Sequence, residues 1–223
     1  MKQKMFLPAV AAALLASTFA ASAQSMVTAS TDLNVRSGPG PQFPVVGVIG
    51  AGAQASLDGC VENSKWCAVN GGEGWVYSDY LVGDFGGQQI VVTERPADSG
   101  IDYVPAPEGG GGGAGAVGGV AAGAITGAIV GGPIGAVVGG AAGGVAGGAL
   151  GQAIDPPNEA VTTYVRSNTL EPVYLDGEVV VGATLPDTVQ YREIPDYEYR
   201  YAYVNGQPVI VEPSSRRIVY IVR

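Results

Sequence analysis

Glycine recurs at every fourth position from Gly111 to Gly151, inside a stretch, residues 109–154, that contains no charged side chain. Residues four apart share one face of a helix, so this spacing lays a smooth glycine groove along one side. Ile125, Ile129, Val130, Val137 and Val138 fall elsewhere. The helix-packing candidates are Gly119, Gly123, Gly127, Gly131, Gly135, Gly139, Gly143 and Gly147. Each glycine costs a helix about 1 kcal/mol against alanine, so the segment should not be helical alone in water. Close helix packing, in lipid or within an oligomer of the chain, must compensate. Gly131-Gly132-Pro133 divides the segment into two halves, each about 27 Å long as a helix, against a hydrocarbon core of about 30 Å. A helical hairpin fits; the register passes through Pro133 undisturbed, which leaves a single kinked helix open. A flexible Gly-rich linker is the alternative, and the strict period and the Val and Ile content argue against it.

Residues 1–23 read as a removable export signal. Lys2 and Lys4 give a positive start, an apolar run follows, and Ala21-Ser22-Ala23 supplies a small-x-small cleavage site. Gln24 rather than Cys follows, which argues against a lipid anchor of the bacterial lipoprotein kind. The reading is a periplasmic or outer-membrane-associated protein. Loss of Lys2 and Lys4 takes the formal charge from −9 to −11, a poor match for nucleic acid. With no histidine in the chain, neither a Ser/His/Asp nor a Cys/His nucleophile can be assembled, nor a histidine metal cluster. No catalytic residue, metal site or cofactor is expected, and a carboxylate pair is the main catalytic option left.

The glycine segment separates two zones of strand-like sequence. In residues 26–83, short apolar runs alternate with Gly, Pro, Asn and Asp, as in a small all-β unit. Four blocks, LNVRSGPG, FPVVGVI, WCAV and EGWVYSDYL, resemble the bacterial SH3-like (SH3b) domain in order and spacing. The resemblance implies a five- or six-stranded barrel of the kind that often targets the cell wall. Residues 84–108, with Pro96, Pro105 and Pro107, read as a linker.

Cys60 and Cys67 flank a short loop between two expected strands, so a hairpin brings them within disulfide reach. An oxidising compartment favours the bridge, which would stabilise the unit by about 2–3 kcal/mol on the chain-entropy estimate. If the loop at Asn70-Gly71-Gly72-Glu73 closes a hairpin, Val69 opposes Gly74, Cys67 opposes Val76 and Trp66 opposes Tyr77. Cys67, Val69 and Val76 then face inward. Trp66, Trp75 and Tyr77 are the candidate binding face, available to stack on a sugar or grip a peptide, unless they simply cover the sheet or the linker.

In residues 161–223, three hairpin signals predict an antiparallel sheet: Asp176-Gly177, Asn205-Gly206 and Pro213-Ser214-Ser215. Tyr199, Tyr201 and Tyr203 share one face of their strand. The phrases VGATLPDTVQYREIP and YRYAYVNGQPVIVEPSSRRIVYIV resemble a C-terminal domain of unknown function found in exported alphaproteobacterial proteins; that resemblance implies no activity. Glu193, Asp196, Glu198 and Glu212 offer carboxylates, but no spacing singles out a pair. The strand zones differ in charge balance and read as separate domains.

The fold expected is therefore mainly β: an SH3-like barrel, a Gly-zipper helical hairpin and a small antiparallel C-terminal domain. The function expected is that of an exported, non-catalytic envelope protein that binds peptidoglycan or an envelope protein. The Gly-zipper segment would contact the membrane or hold a homo-oligomer. The alternative is an envelope enzyme acting on glycans through a carboxylate pair.

Overall fold

The structure is a computed structural model that describes residues 25–107 and 155–223; the expected export signal and the Gly-zipper positions lie outside the described residues. The first sheet contains β1 (Ser25–Ala29), β2 (Leu33–Arg36), β3 (Val45–Ile49), β4 (Gln54–Val61), β5 (Trp66–Val69), β6 (Gly74–Tyr77), β7 (Leu81–Phe85) and β8 (Gln88–Val91). Its order is β3-β2-β6-β5-β4-β1-β7-β8, and β9 (Tyr103–Val104) joins it alongside β4. The fold is mainly β, as the alternating apolar runs predict.

The segment read as a linker is not one along its whole length. Residues 81–85 and 88–91 form an antiparallel hairpin across Gly86-Gly87, and β9 pairs in parallel with the end of β4, Cys60 against Tyr103. Gly59 makes that crossing feasible. A Cβ there would lie 2.8 Å from the Asp102 carbonyl oxygen and 2.6 Å from a Val104 methyl.

The C-terminal zone begins with a helix that the strand-like reading missed, α1 (Glu159–Ser167), capped by the Asn158 side chain accepting from the Val161 N–H at 2.9 Å. Val161, Thr162, Thr163 and Val165 are β-branched and locally favour a strand. The helix forms because Val161, Tyr164 and Val165 sit at i, i+3 and i+4 and pack together on the second sheet. That sheet runs β10 (Arg192–Glu193), β11 (Arg200–Val204), β12 (Gln207–Glu212), β13 (Arg217–Ile221), all antiparallel neighbours. Two of the three expected hairpins are present. At Asn205-Gly206 both residues have positive φ, 52° and 75°, the geometry of a two-residue turn that joins twisted strands. The expected hairpin at Asp176-Gly177 does not form. Residues 171–182 run without a regular strand, held by the Val173 N–H donating to the Tyr203 carbonyl and by contacts described below.

The two zones share an apolar core. Side chains of the second sheet alternate between two apolar clusters. Ala202, Val204, Val209, Val211, Ile218 and Ile221 join the core of the first sheet, together with Leu33, Val69, Trp75 and Val76. Tyr201, Ile210 and Val219 face the other way, onto Val161 and Val165 of α1. A register shift at Ile210/Val211 lets both Val219 and Tyr220 reach the helix side. Strand β12 is thus buried on both faces, which is why Pro208-Val209-Ile210-Val211 is continuously apolar.

A shared core predicts a shared transition. Urea unfolding followed by Trp66 and Trp75 fluorescence and by far-ultraviolet circular dichroism should give coincident curves; two resolved transitions would show the zones unfolding independently.

Candidate functional site

The most polar part of the interior lies where the two sheets meet. Asn34 and Arg36 are two apart on β2 and point to one face; both are fully buried. The Arg36 guanidinium makes a two-pronged contact with Glu178: Nε to Oε2 at 2.5 Å and Nη2 to Oε1 at 2.6 Å. Nη1 donates to the Pro41 carbonyl at 2.9 Å, to Phe43 at 2.7 Å and to Asn205 at 3.2 Å. The loop after β2 thus folds back over the guanidinium. Glu178 Oε1 also accepts from its neighbour's N–H, Val179, at 2.8 Å, and from Asn34 Nδ2 at 3.1 Å. Asn34 Nδ2 reaches Gln207 Oε1 at 2.8 Å as well. Asn205 holds the approaching segment: its Oδ1 accepts from the Leu175 N–H at 2.8 Å and its Nδ2 donates to the Gly177 carbonyl at 3.0 Å.

The expected aromatic face adjoins this network, since Arg36 pairs with Trp75 across β2 and β6. The predicted register is found: Trp66 opposes Tyr77, Cys67 opposes Val76 and Val69 opposes Gly74. Trp66 and Tyr77 stack edge to face at 5.4 Å. The expected exposure is not found. Trp66, Trp75 and Tyr77 are 4%, 8% and 5% exposed, because they belong to the core that includes Leu175, Val179 and Val180 of the C-terminal zone. A single sheet leaves such a face open; here the C-terminal zone closes it. Burial pushes the Tyr77 hydroxyl well above the usual tyrosine range, and Asp176 and then Asp79 add to the shift. Tyr80 is raised in the same way by burial and by Asp79. Lys65 Nζ lies 5.7 Å from the Tyr77 ring centroid and pairs with Asp79 at 2.8 Å.

Cys60 and Cys67 form the expected disulfide, directly opposite each other on β4 and β5. Two of the four candidate carboxylates, Glu193 and Glu212, have individual partners. Glu193 pairs with Arg200 at 3.0 Å on the surface, and Glu212 accepts from the Ser215 hydroxyl at 2.5 Å. Asp196 sits in a turn with φ 55°. The carboxylate that matters most to the interior, Glu178, was not among those singled out by sequence. Its signal is a lone acid in an apolar run, Glu178-Val179-Val180-Val181, just as Arg36 is a lone base next to Leu33 and Val35. Among the described residues, no group of three or more Cys, Asp or Glu side chains is arranged to hold a metal ion.

Residues 31–82 match the bacterial SH3 domain, and residues 164–223 match a domain of unknown function, DUF1236. No curated protein and no solved structure gives a significant match. The network described above therefore joins these two sequence domains, with Asn34 and Arg36 on one and Glu178, Asn205 and Gln207 on the other.

Glu178→Ala should strand a buried guanidinium and lower stability by about 3–5 kcal/mol. The double substitution Arg36→Met with Glu178→Leu should recover most of that loss, because apolar side chains of similar volume need no desolvation of charge. Urea denaturation of the three proteins checks both. A second prediction concerns alkaline pH. Tyr77 and Tyr80 keep their protons in the folded state while the unfolded chain releases them near pH 10.0, so the folded state binds more protons above that point. Their contribution to stability should be intact below about pH 10 and decline as pH rises further, seen as a falling urea midpoint accompanied by an additional step of phenolate absorbance on unfolding.

Proposed function

We propose that this is an exported, non-catalytic protein of the cell envelope that binds peptidoglycan through its SH3 domain. The observation that carries the reading is the bacterial SH3 match over residues 31–82 on a sheet stapled by Cys60 and Cys67, a bridge suited to an oxidising compartment outside the cytoplasm. The signal-like residues 1–23 point the same way. The Gly-zipper residues 109–154 would attach the protein to a membrane, in the periplasm or at the outer membrane, or hold copies together.

The ligand surface in this reading is not Trp66, Trp75 and Tyr77, which are buried in the core shared with the C-terminal zone. Tyr103 fits better. It is 67% exposed, the largest exposure among the large apolar side chains described, and the Arg95 guanidinium lies 5.8 Å from its ring centroid. An open aromatic ring stacks on the apolar face of a sugar, and a guanidinium beside it pairs with a carboxylate of a lactyl or peptide group.

Tyr103→Ala in the full chain should reduce pull-down on purified peptidoglycan severalfold or more without moving the unfolding midpoint. Trp66→Ala should instead lower stability by about 3–5 kcal/mol as a core truncation. A full chain that fails to sediment with peptidoglycan at any salt concentration would turn the reading toward an envelope-protein partner.

A further inference from the structure

The seam between the two sheets has the construction of a recognition site, and we infer that the C-terminal domain of unknown function is a protein-binding module whose ligand is the Asn34–Arg36 face of the SH3 domain. This does not rest on the peptidoglycan reading.

Within the joined structure, each side of the seam also holds its own groups in place. On the SH3 side, the Pro41 and Phe43 carbonyls fix the guanidinium of Arg36, at 2.9 and 2.7 Å. On the C-terminal side, Asn205 ties down the Leu175 N–H and the Gly177 carbonyl, and the Val179 N–H binds the Glu178 carboxylate at 2.8 Å. The carboxylate is thereby presented in place, on a segment that has no hairpin of its own. Pre-organised partners lose little conformational entropy on docking. The polar contacts across the seam join residues 142 to 173 positions apart, so no short loop ties the halves together.

The pair of charges adds selectivity rather than strength. An apolar pair of the same size would hold the seam nearly as well. A charged pair rejects any mismatched partner, since a guanidinium or a carboxylate buried without its counterpart keeps its full desolvation cost. The module should therefore distinguish an SH3 face that carries Arg36 from one that does not.

The test begins with the full chain. A protease site inserted within residues 109–154 allows the purified protein to be nicked after folding. Nicked wild type should stay together as one species in size-exclusion chromatography at micromolar concentration. The Arg36→Met/Glu178→Leu chain, nicked in the same way and carrying a mass tag, is then mixed with it in urea and diluted back. Matched halves should re-form in at least about tenfold excess over mixed ones. Random sorting, or wild-type halves that separate while retaining their β spectra, would overturn the inference. Should the double variant not refold, the nicked Glu178→Gln chain replaces it. Its C-terminal half should bind the wild-type SH3 half at least about tenfold more weakly, and equal binding would equally overturn the inference.

Discussion

The contact between Arg36 and Glu178 organises everything around it. Both side chains are removed from water, at 1% and 0% exposure, which costs several kcal/mol per ion before any attraction is counted. The arrangement is tolerated because all three nitrogens of the guanidinium are engaged: Nε and Nη2 meet the carboxylate, and Nη1 meets the Pro41, Phe43 and Asn205 carbonyls. Those same bonds fix the loop after β2, the Asn205-Gly206 turn and the irregular segment leading to Glu178. Removing the pair for an apolar one would leave the apolar cluster but release these positional constraints.

From that constraint follows the two-sided use of the second sheet. Neither zone is large enough to bury a generous core alone; small domains hide a smaller fraction of their surface, and fewer apolar residues offset the entropy of ordering the chain. Here the β11–β13 strands serve two cores at once, with Val209 and Val211 against the first sheet and Ile210 against α1. The tyrosines on the helix side anchor it through polar tips: the Tyr201 and Tyr203 hydroxyls donate to the Asn168 and Val165 carbonyls at 2.9 and 3.1 Å. Those are carbonyls at the end of α1, where helical partners run out.

Local chemistry was legible in the sequence, and partnership was not. The β4–β5 disulfide, the β5–β6 register and the Asn205-Gly206 turn all follow from spacing and turn residues, because the period of a strand and the φ demands of a tight turn act over a few residues. What failed depended on contacts far along the chain. The helix α1 has a capping signal at Asn158 and Glu159, but its β-branched residues read as strand until an apolar sheet is placed beneath it. The expected hairpin at Asp176-Gly177 is pre-empted because Glu178 and Leu175 are drawn into the seam. The register that places Trp66 opposite Tyr77 is readable from the turn between β5 and β6, and only the presence of the C-terminal zone decides whether that face meets water.

The covering of that face in turn limits how the SH3 domain can meet a ligand. Trp66, Trp75 and Tyr77 are buried in the core shared with the C-terminal zone, and a ligand would have to displace part of that zone to reach them. The surface that stays open is of a different kind. Among the described residues, Met26, Val46, Val48 and Tyr103 are the large apolar side chains left exposed, and the Arg95 guanidinium lies over the Tyr103 ring. Val46 and Val48 lie on β3, the edge of the first sheet, and Tyr103 lies on a strand added beside β4. The C-terminal domain thus does more than complete a core. By closing one face of the SH3 domain it restricts any ligand to the rim and the outer strands, where a shallow aromatic and charged surface favours extended, polar ligands over deep apolar ones.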